Sequence, residues 1–172
     1  MRSVSFMIPT FLTAIALGAC TPATDRPGPV AATGDQILIS VGPCFGFCPV
    51  YDVSIAPDGS VAYDGKRHTE LLGARTRSAG KSAYDGLARD LAPYRPASGL
   101  TERVACEAAI SDTSSYSITW IDAAGTKSTA THSRGCSGGP GQALDKLLET
   151  VPARLGIDAW AKQVTRPGTS RG

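Results

Sequence analysis

Four cysteines, at positions 44, 48, 106 and 136, constrain this chain more than any other feature. A fifth stands apart at position 20. An even set of four in a compartment that oxidises thiols closes into two disulfides, and three connectivities are open. The favoured one joins Cys44 to Cys48 and Cys106 to Cys136. Only Phe-Gly-Phe separates the first two, and the second two flank a β-hairpin pattern. A bridge across two hairpin ends stabilises a domain by roughly 2–4 kcal/mol, mainly by restricting the unfolded chain. Other uses of the thiols fit less well. Zinc held by four thiolates needs two close Cys-x-x-Cys knuckles, whereas only one close pair exists and three residues separate its members. A thioredoxin-like pair needs two intervening residues and a helix N-terminus, whereas Pro49 and the Val-Tyr run that follow Cys48 read as the start of a strand.

The N-terminus supplies the compartment. Met1-Arg2 precedes an apolar stretch over residues 4–17, which contains Phe6, Met7, Ile8, Phe11, Leu12 and Ile15. A charged start and an apolar segment shorter than the roughly 20 residues of a spanning helix read as a signal peptide, residues 1–19. Leu17-Gly18-Ala19-Cys20 resembles the bacterial lipobox, in which the cysteine receives lipid. On that resemblance the mature chain starts at an acylated Cys20, and more than one acyl chain anchors stably. Thr21 follows Cys20, and in bacterial lipoproteins a residue other than Asp there implies sorting to the outer membrane. The expected location is therefore the cell envelope, on the outer membrane facing the periplasm.

Residues 20–35 hold the cysteine, three prolines and two glycines, with little that is large and apolar, and read as a flexible tether. Residues 165–172 read as a disordered tail. A single folded domain is expected over residues 36–164. Its 17 Lys and Arg balance 15 Asp and Glu across the whole chain, which gives no electrostatic reason to expect nucleic acid. With 42% hydrophobic residues the chain is neither disordered nor a membrane bundle.

Within the domain, residues 37–41 form an apolar run stopped by Gly42-Pro43. Val50, Tyr51, Val53 and Ile55 predict a second strand and residues 60–64 a third, with Pro57-Asp58-Gly59 between them as a hairpin turn. A fourth strand is expected over residues 70–77. Tyr84, Leu87, Ala88 and Leu91 then recur at helical spacing, and Ser82 with Asp85 resembles a capping box. Tyr116, Ile118 and Trp120 begin a second hairpin that turns at Ala123-Ala124-Gly125 and returns over residues 126–132. Leu144, Leu147, Leu148 and Val151 predict a second helix that breaks at Pro152, followed by a short terminal turn carrying Trp160. The pattern is hairpin then helix, twice. It predicts an α+β fold in which an antiparallel sheet, built from two such halves, carries its helices on one face.

Gly42-Pro43-Cys44-Phe45-Gly46-Phe47-Cys48-Pro49-Val50-Tyr51, with the following Asp-Gly hairpin and Val61-Ala62-Tyr63-Asp64-Gly65, resembles the signature of a bacterial family called domain of unknown function 6438. Ser111-Asp112-Thr113, Gly135-Cys136 and Trp160 are its later landmarks. The resemblance implies an exported or lipid-anchored protein and names no activity. Gly46 between two phenylalanines permits a tight turn that presents two rings. Two readings of those rings are open: Phe45 or Phe47 plugs the end of the sheet core, or the loop is an exposed apolar tip for a peptide, a glycan or a protein. The candidate binding residues are Phe45, Gly46, Phe47, Tyr51 and Asp112.

Catalytic motifs are incomplete. Gly135-Cys136-Ser137-Gly138-Gly139 matches Gly-x-Ser-x-Gly between a strand and a helix, yet His68 and His132 both precede Ser137, against the order that fold requires. Gly80-Lys81-Ser82 lacks the first glycine of a phosphate loop and reads as a helix lead-in. His68 and His132 are placed on different strands as surface residues, so neither a metal nor another cofactor is expected. The expectation is a non-enzymatic binding or assembly module of the envelope, held to the membrane through Cys20 and engaging an envelope protein or peptide. The alternative is a periplasmic thiol-dependent redox enzyme using Cys44 and Cys48, or a hydrolase using Ser137.

Overall fold

The computed structural model describes residues 34–164; the expected signal peptide, Cys20, most of the expected tether and the expected tail lie outside them. The chain runs β1 (Gln36–Val41), β2 (Val50–Ile55), β3 (Ser60–Arg67), β4 (Gly73–Ser78), α1 (Lys81–Leu91), β5 (Thr101–Arg103), β6 (Ala108–Ala109), β7 (Ser115–Ile121), β8 (Lys127–Ser133), β9 (Cys136–Ser137), α2 (Gly139–Arg154) and α3 (Asp158–Ala161). Seven strands form one sheet in the order β4-β3-β2-β1-β7-β8-β5, and β6 and β9 pair separately. Every pairing in the large sheet is antiparallel except β5 with β8. This is the expected α+β class.

Strict alternation explains why the sheet has one buried face. The registers align three rows across it: Val61, Ile55, Ile37, Trp120 and Ser128; Tyr63, Val53, Ile39, Ile118 and Ala130; Gly65, Tyr51, Val41, Tyr116 and His132. Onto these rows pack Tyr84, Leu87 and Leu91 of α1 and Leu144, Leu148 and Val151 of α2, all buried. Each such aliphatic residue contributes roughly 1.5–3 kcal/mol by leaving water. On the other face Ser40, Ser54, Ser117, Thr119, Thr129 and Thr131 are small, polar and only half-buried, and among the described residues no element covers them.

The two hairpins close with the same hydrogen bonds. In the first, Ala56 N–H donates to Ser60 O and Gly59 N–H to Ala56 O; in the second, Asp122 N–H donates to Thr126 O and Gly125 N–H to Asp122 O. Gly59 and Gly125 lie at φ 86° and 83°, the left-handed position that three-residue hairpin loops reserve for glycine. The halves around them differ: β1 to β4 form a continuous meander, whereas the second hairpin gains β5 as a parallel neighbour.

Three local expectations need correction. The capping box does not form: α1 begins at Lys81, Gly80 is its N-cap without a side-chain bond, and Asp85 instead pairs with Lys81 at 2.6 Å. Helix α2 runs through Pro152 to Arg154; the missing N–H forgoes one bond to the Leu148 carbonyl, and the buried Val151 and Leu155 hold the last turn against the core. Strand β3 extends to Arg67, so β4 begins only at Gly73.

Candidate functional site

Both cysteine pairs are disulfide-bonded, Cys44 with Cys48 and Cys106 with Cys136, each with Cα atoms 5.7 Å apart. The first closes the loop between β1 and β2 at one end of the sheet. Gly46 sits at its tip with φ 141°, a backbone that a side chain would strain. Phe45 is 88% exposed and Phe47 41% exposed. The reading in which these rings plug the core is therefore corrected: neither phenylalanine belongs to the buried core cluster. The loop is fixed on both flanks. Phe45 N–H donates to the Asp112 carbonyl at 3.1 Å, and the Phe47 ring meets His68 edge-on at 5.2 Å. Among the described residues, Asp112 and His68 are the two non-glycine residues with positive φ, at 62° and 58°. His68 lies just beyond β3 rather than on a strand. Of the five residues singled out for binding, Phe45, Gly46, Phe47 and Asp112 thus share the tip, and Tyr51 lies beneath it, buried.

Below the loop, Cys48 and Pro49 line a cavity of about 260 Å³ whose polar lining includes Tyr51, Tyr116, Arg134, Glu149, Asp158 and Lys162, with Ser114 and Gln163 beside them. Four core tyrosines differ in how their hydroxyls are used. Tyr63 donates to the carbonyls of Leu71 and Trp160 at 3.3 and 3.2 Å, and Tyr84 to the Asp35 carbonyl at 2.7 Å. Tyr51 and Tyr116 are 7% and 8% exposed, and neither hydroxyl has a partner among the described residues. Both hydroxyls open to the cavity, whereas the fully buried side-chain atoms without a hydrogen-bond partner among the described residues are Asp35 Oδ2 and His132 Nδ1. Burial pushes the Tyr51 phenol well above its ordinary range; Tyr116 and Tyr63 add to this and Arg134 opposes it. Burial likewise raises Tyr116 against the pull of Arg134. Both are held as neutral O–H groups. Arg134 donates one N–H to Glu149 at 2.9 Å, which holds the guanidinium charged. Lys162 and Asp158 make no ion pair among the described residues.

Behind the cavity a second polar cluster has a structural role. His132 Nε2 lies 2.8 Å from Asp145 Oδ1, and Asp145 Oδ2 accepts the N–H groups of Gly135 and Cys136 at 2.9 and 2.8 Å. A carboxylate only accepts, so Nε2 carries the hydrogen. His132 is 3% exposed, which corrects the surface reading: it faces inward in the third row, opposite Tyr116. The cluster ties β8 and the Cys136 turn to α2. Ser137 is exposed and its hydroxyl donates to the Ala108 carbonyl at 3.3 Å, whereas the His132 ring faces the core. Among the described residues no group of three or more His, Cys, Asp or Glu could hold a metal ion, and no helix is long and apolar enough to cross a membrane.

Sequence reasoning missed Tyr116, Arg134, Glu149, Asp158 and Lys162. Tyr116 shares the alternation of its strand with core residues, and only the pairing of β1 with β7 sets it beside Tyr51's row.

Fold and site define a class: a small α+β domain with a one-faced sheet, its end closed by a disulfide loop over a tyrosine-lined cavity. The chain belongs to the family described as Domain of unknown function (DUF6438), whose model matches residues 35–154. That span runs from β1 to the end of α2 and stops before Asp158 and Lys162. No curated protein matches the chain.

Proposed function

We propose that this protein is an exported lipoprotein, anchored through acylated Cys20, whose domain is a non-enzymatic binding module of the cell envelope. The observation that carries the reading is Phe45, an aromatic ring 88% exposed on a loop closed by a disulfide and fixed by a backbone bond to Asp112. A large ring held in water on a rigid support contributes nothing to folding; its use is as an anchor that fills a partner's pocket at little entropic cost. The lipobox-like Leu17-Gly18-Ala19-Cys20 supports the anchor, and Thr21 supports the outer membrane. The partner is an envelope protein or peptide.

A photo-crosslinking amino acid in place of Phe45, in the full chain expressed in its native envelope, tests this directly. A discrete crosslinked partner, lost when the probe is moved to exposed Thr76 on β4, is the expected result. Labelling of lipid alone, or no adduct, would sink it. Intact mass of the membrane-purified chain tests the anchor separately: diacyl or triacyl mass at Cys20 supports it, and an unmodified thiol there refutes it.

A further inference from the structure

The reading of this end of the sheet as a binding face can be carried to a ligand chemistry, and the following rests on that reading. We propose that the cavity beneath the Cys44–Cys48 loop binds a carboxylate group, received by the Tyr51 and Tyr116 hydroxyls and the Arg134 guanidinium.

Three observations converge on it. The Tyr51 and Tyr116 hydroxyls are the unpartnered members of the core tyrosines, in residues more than nine-tenths buried and lining the same cavity. Neutral phenols can donate, and burial keeps both protonated far above neutral pH. Arg134 commits a single N–H to Glu149 at 2.9 Å, so most of its five donors are free for a second acceptor. Lys162 adds a cation without an ion-pair partner. Glu149 and Asp158 are the acids in the lining; the first is paired with Arg134, and the second can accept an N–H from the body of a ligand. Tyr51, Tyr116 and Arg134 present hydrogen-bond donors to one cavity, and a carboxylate with two oxygens and four lone-pair sites matches that set.

Size narrows the ligand. A cavity of about 260 Å³ is below the usual range of about 300–1,000 Å³ for drug-sized ligands. It accommodates a small acid or the terminal residue of a longer chain whose body passes over Phe45. The shared chemistry is a carboxylate on a small body, and the two sources are a free small acid and a peptide C-terminus.

Titration of the full chain in detergent with acetyl-dialanine, its C-terminal amide and acetate separates them, read by calorimetry and by the tyrosine ultraviolet difference spectrum. Saturable binding of the acid is expected, with the amide weaker by about 10- to 100-fold, the range for a charged hydrogen-bond acceptor. Tyr51→Phe and Tyr116→Phe keep the rings in the core and should each weaken the acid by a similar factor and remove part of the difference spectrum. Acetate binding as tightly as acetyl-dialanine assigns a free small acid; tighter binding of the dipeptide assigns a chain terminus. Equal affinity for acid and amide overturns the proposal, as does absence of saturation by either acid, or wild-type affinity in both phenylalanine variants. Failure here with a crosslinked partner still seen at position 45 would leave the binding module intact and remove only the carboxylate; loss of the crosslink with acid binding retained would do the reverse.

Discussion

The two disulfides close loops of very different length, and their removal should separate stability from binding. Cys106 and Cys136 are 30 residues apart and Cys44 and Cys48 are 4 apart. The chain-entropy relation then assigns about 3.6 kcal/mol to the long bridge and about 1.9 kcal/mol to the short one, from the loss of unfolded-state freedom alone. Burial widens the gap. Cys136 is 6% exposed beside the Asp145 cluster, so its truncation also removes packing. The short bridge sits on a tip whose phenylalanines are exposed. Paired substitutions Cys106→Ala with Cys136→Ala and Cys44→Ala with Cys48→Ala, measured by urea unfolding, should lower the midpoint by about 2.4 M and about 1.3 M at a slope of about 1.5 kcal/mol per M. The tip variant should nevertheless lose most crosslinking at position 45, because Phe45 is no longer held. A tip variant that is destabilised as much as the long-bridge variant, or that crosslinks as before, would refute the division of labour.

Three further outcomes follow from the same geometry. Asp145→Ala leaves the His132 Nε2–H and the Gly135 and Cys136 amides without their acceptor in a part-buried setting, and should cost about 3–5 kcal/mol in denaturant unfolding, whereas Glu149→Ala should cost under about 1 kcal/mol because its pair with Arg134 is exposed. Tyr51 and Tyr116 titrate above their ordinary range in the folded chain, so their contribution is complete below the unfolded tyrosine value of about 10; above it the unfolded chain releases protons that the folded chain retains, and stability falls by up to about 1.4 kcal/mol per pH unit for each. Tyr51→Phe and Tyr116→Phe should each flatten that alkaline slope in melting curves, and an unchanged slope would contradict their burial. Phe45→Ala should leave the melting midpoint within experimental scatter, since an 88% exposed ring contributes no core.

Period-2 alternation made the sheet legible: Ile37, Ile39 and Val41, or Tyr116, Ile118 and Trp120, declare one buried face before any partner strand is known. The turn chemistry at Gly59 and Gly125 was equally local. What alternation cannot supply is which strands adjoin. The central pairing of β1 with β7 joins residues about 80 apart, and it alone puts Tyr116 beside Val41 and, one strand further, Tyr51. The buried His132 was hidden for the same reason: in a Thr-rich strand it looks like a surface residue until Asp145, on a helix, supplies its acceptor. Ser82 and Pro152 mislead because cap and break signals are weak beside tertiary packing. Gly80 already turns the chain at φ 81°, and Val151 and Leu155 on either side of Pro152 are buried in the core.

The position of the site follows from how the third row ends. Rows one and two are filled mostly by aliphatic and indole side chains, and their one phenol, Tyr63, donates to the carbonyls of Leu71 and Trp160. Row three carries Tyr51, Tyr116 and His132, polar-tipped residues that each require a partner. Asp145 meets that need at His132 Nε2, while His132 Nδ1 is buried without a partner among the described residues. Nothing among the described residues meets it for the two tyrosines, whose hydroxyls open to the cavity instead. The loop that roofs them is fixed by the shorter-range disulfide, the less stabilising of the two, and is flanked by left-handed backbone at His68 and Asp112. Such backbone is costly for ordinary residues and is kept where a geometry must be held. Unpaired donors below and a rigid aromatic above are two halves of one arrangement, in which stability is given up at the same end of the sheet where a ligand would restore it.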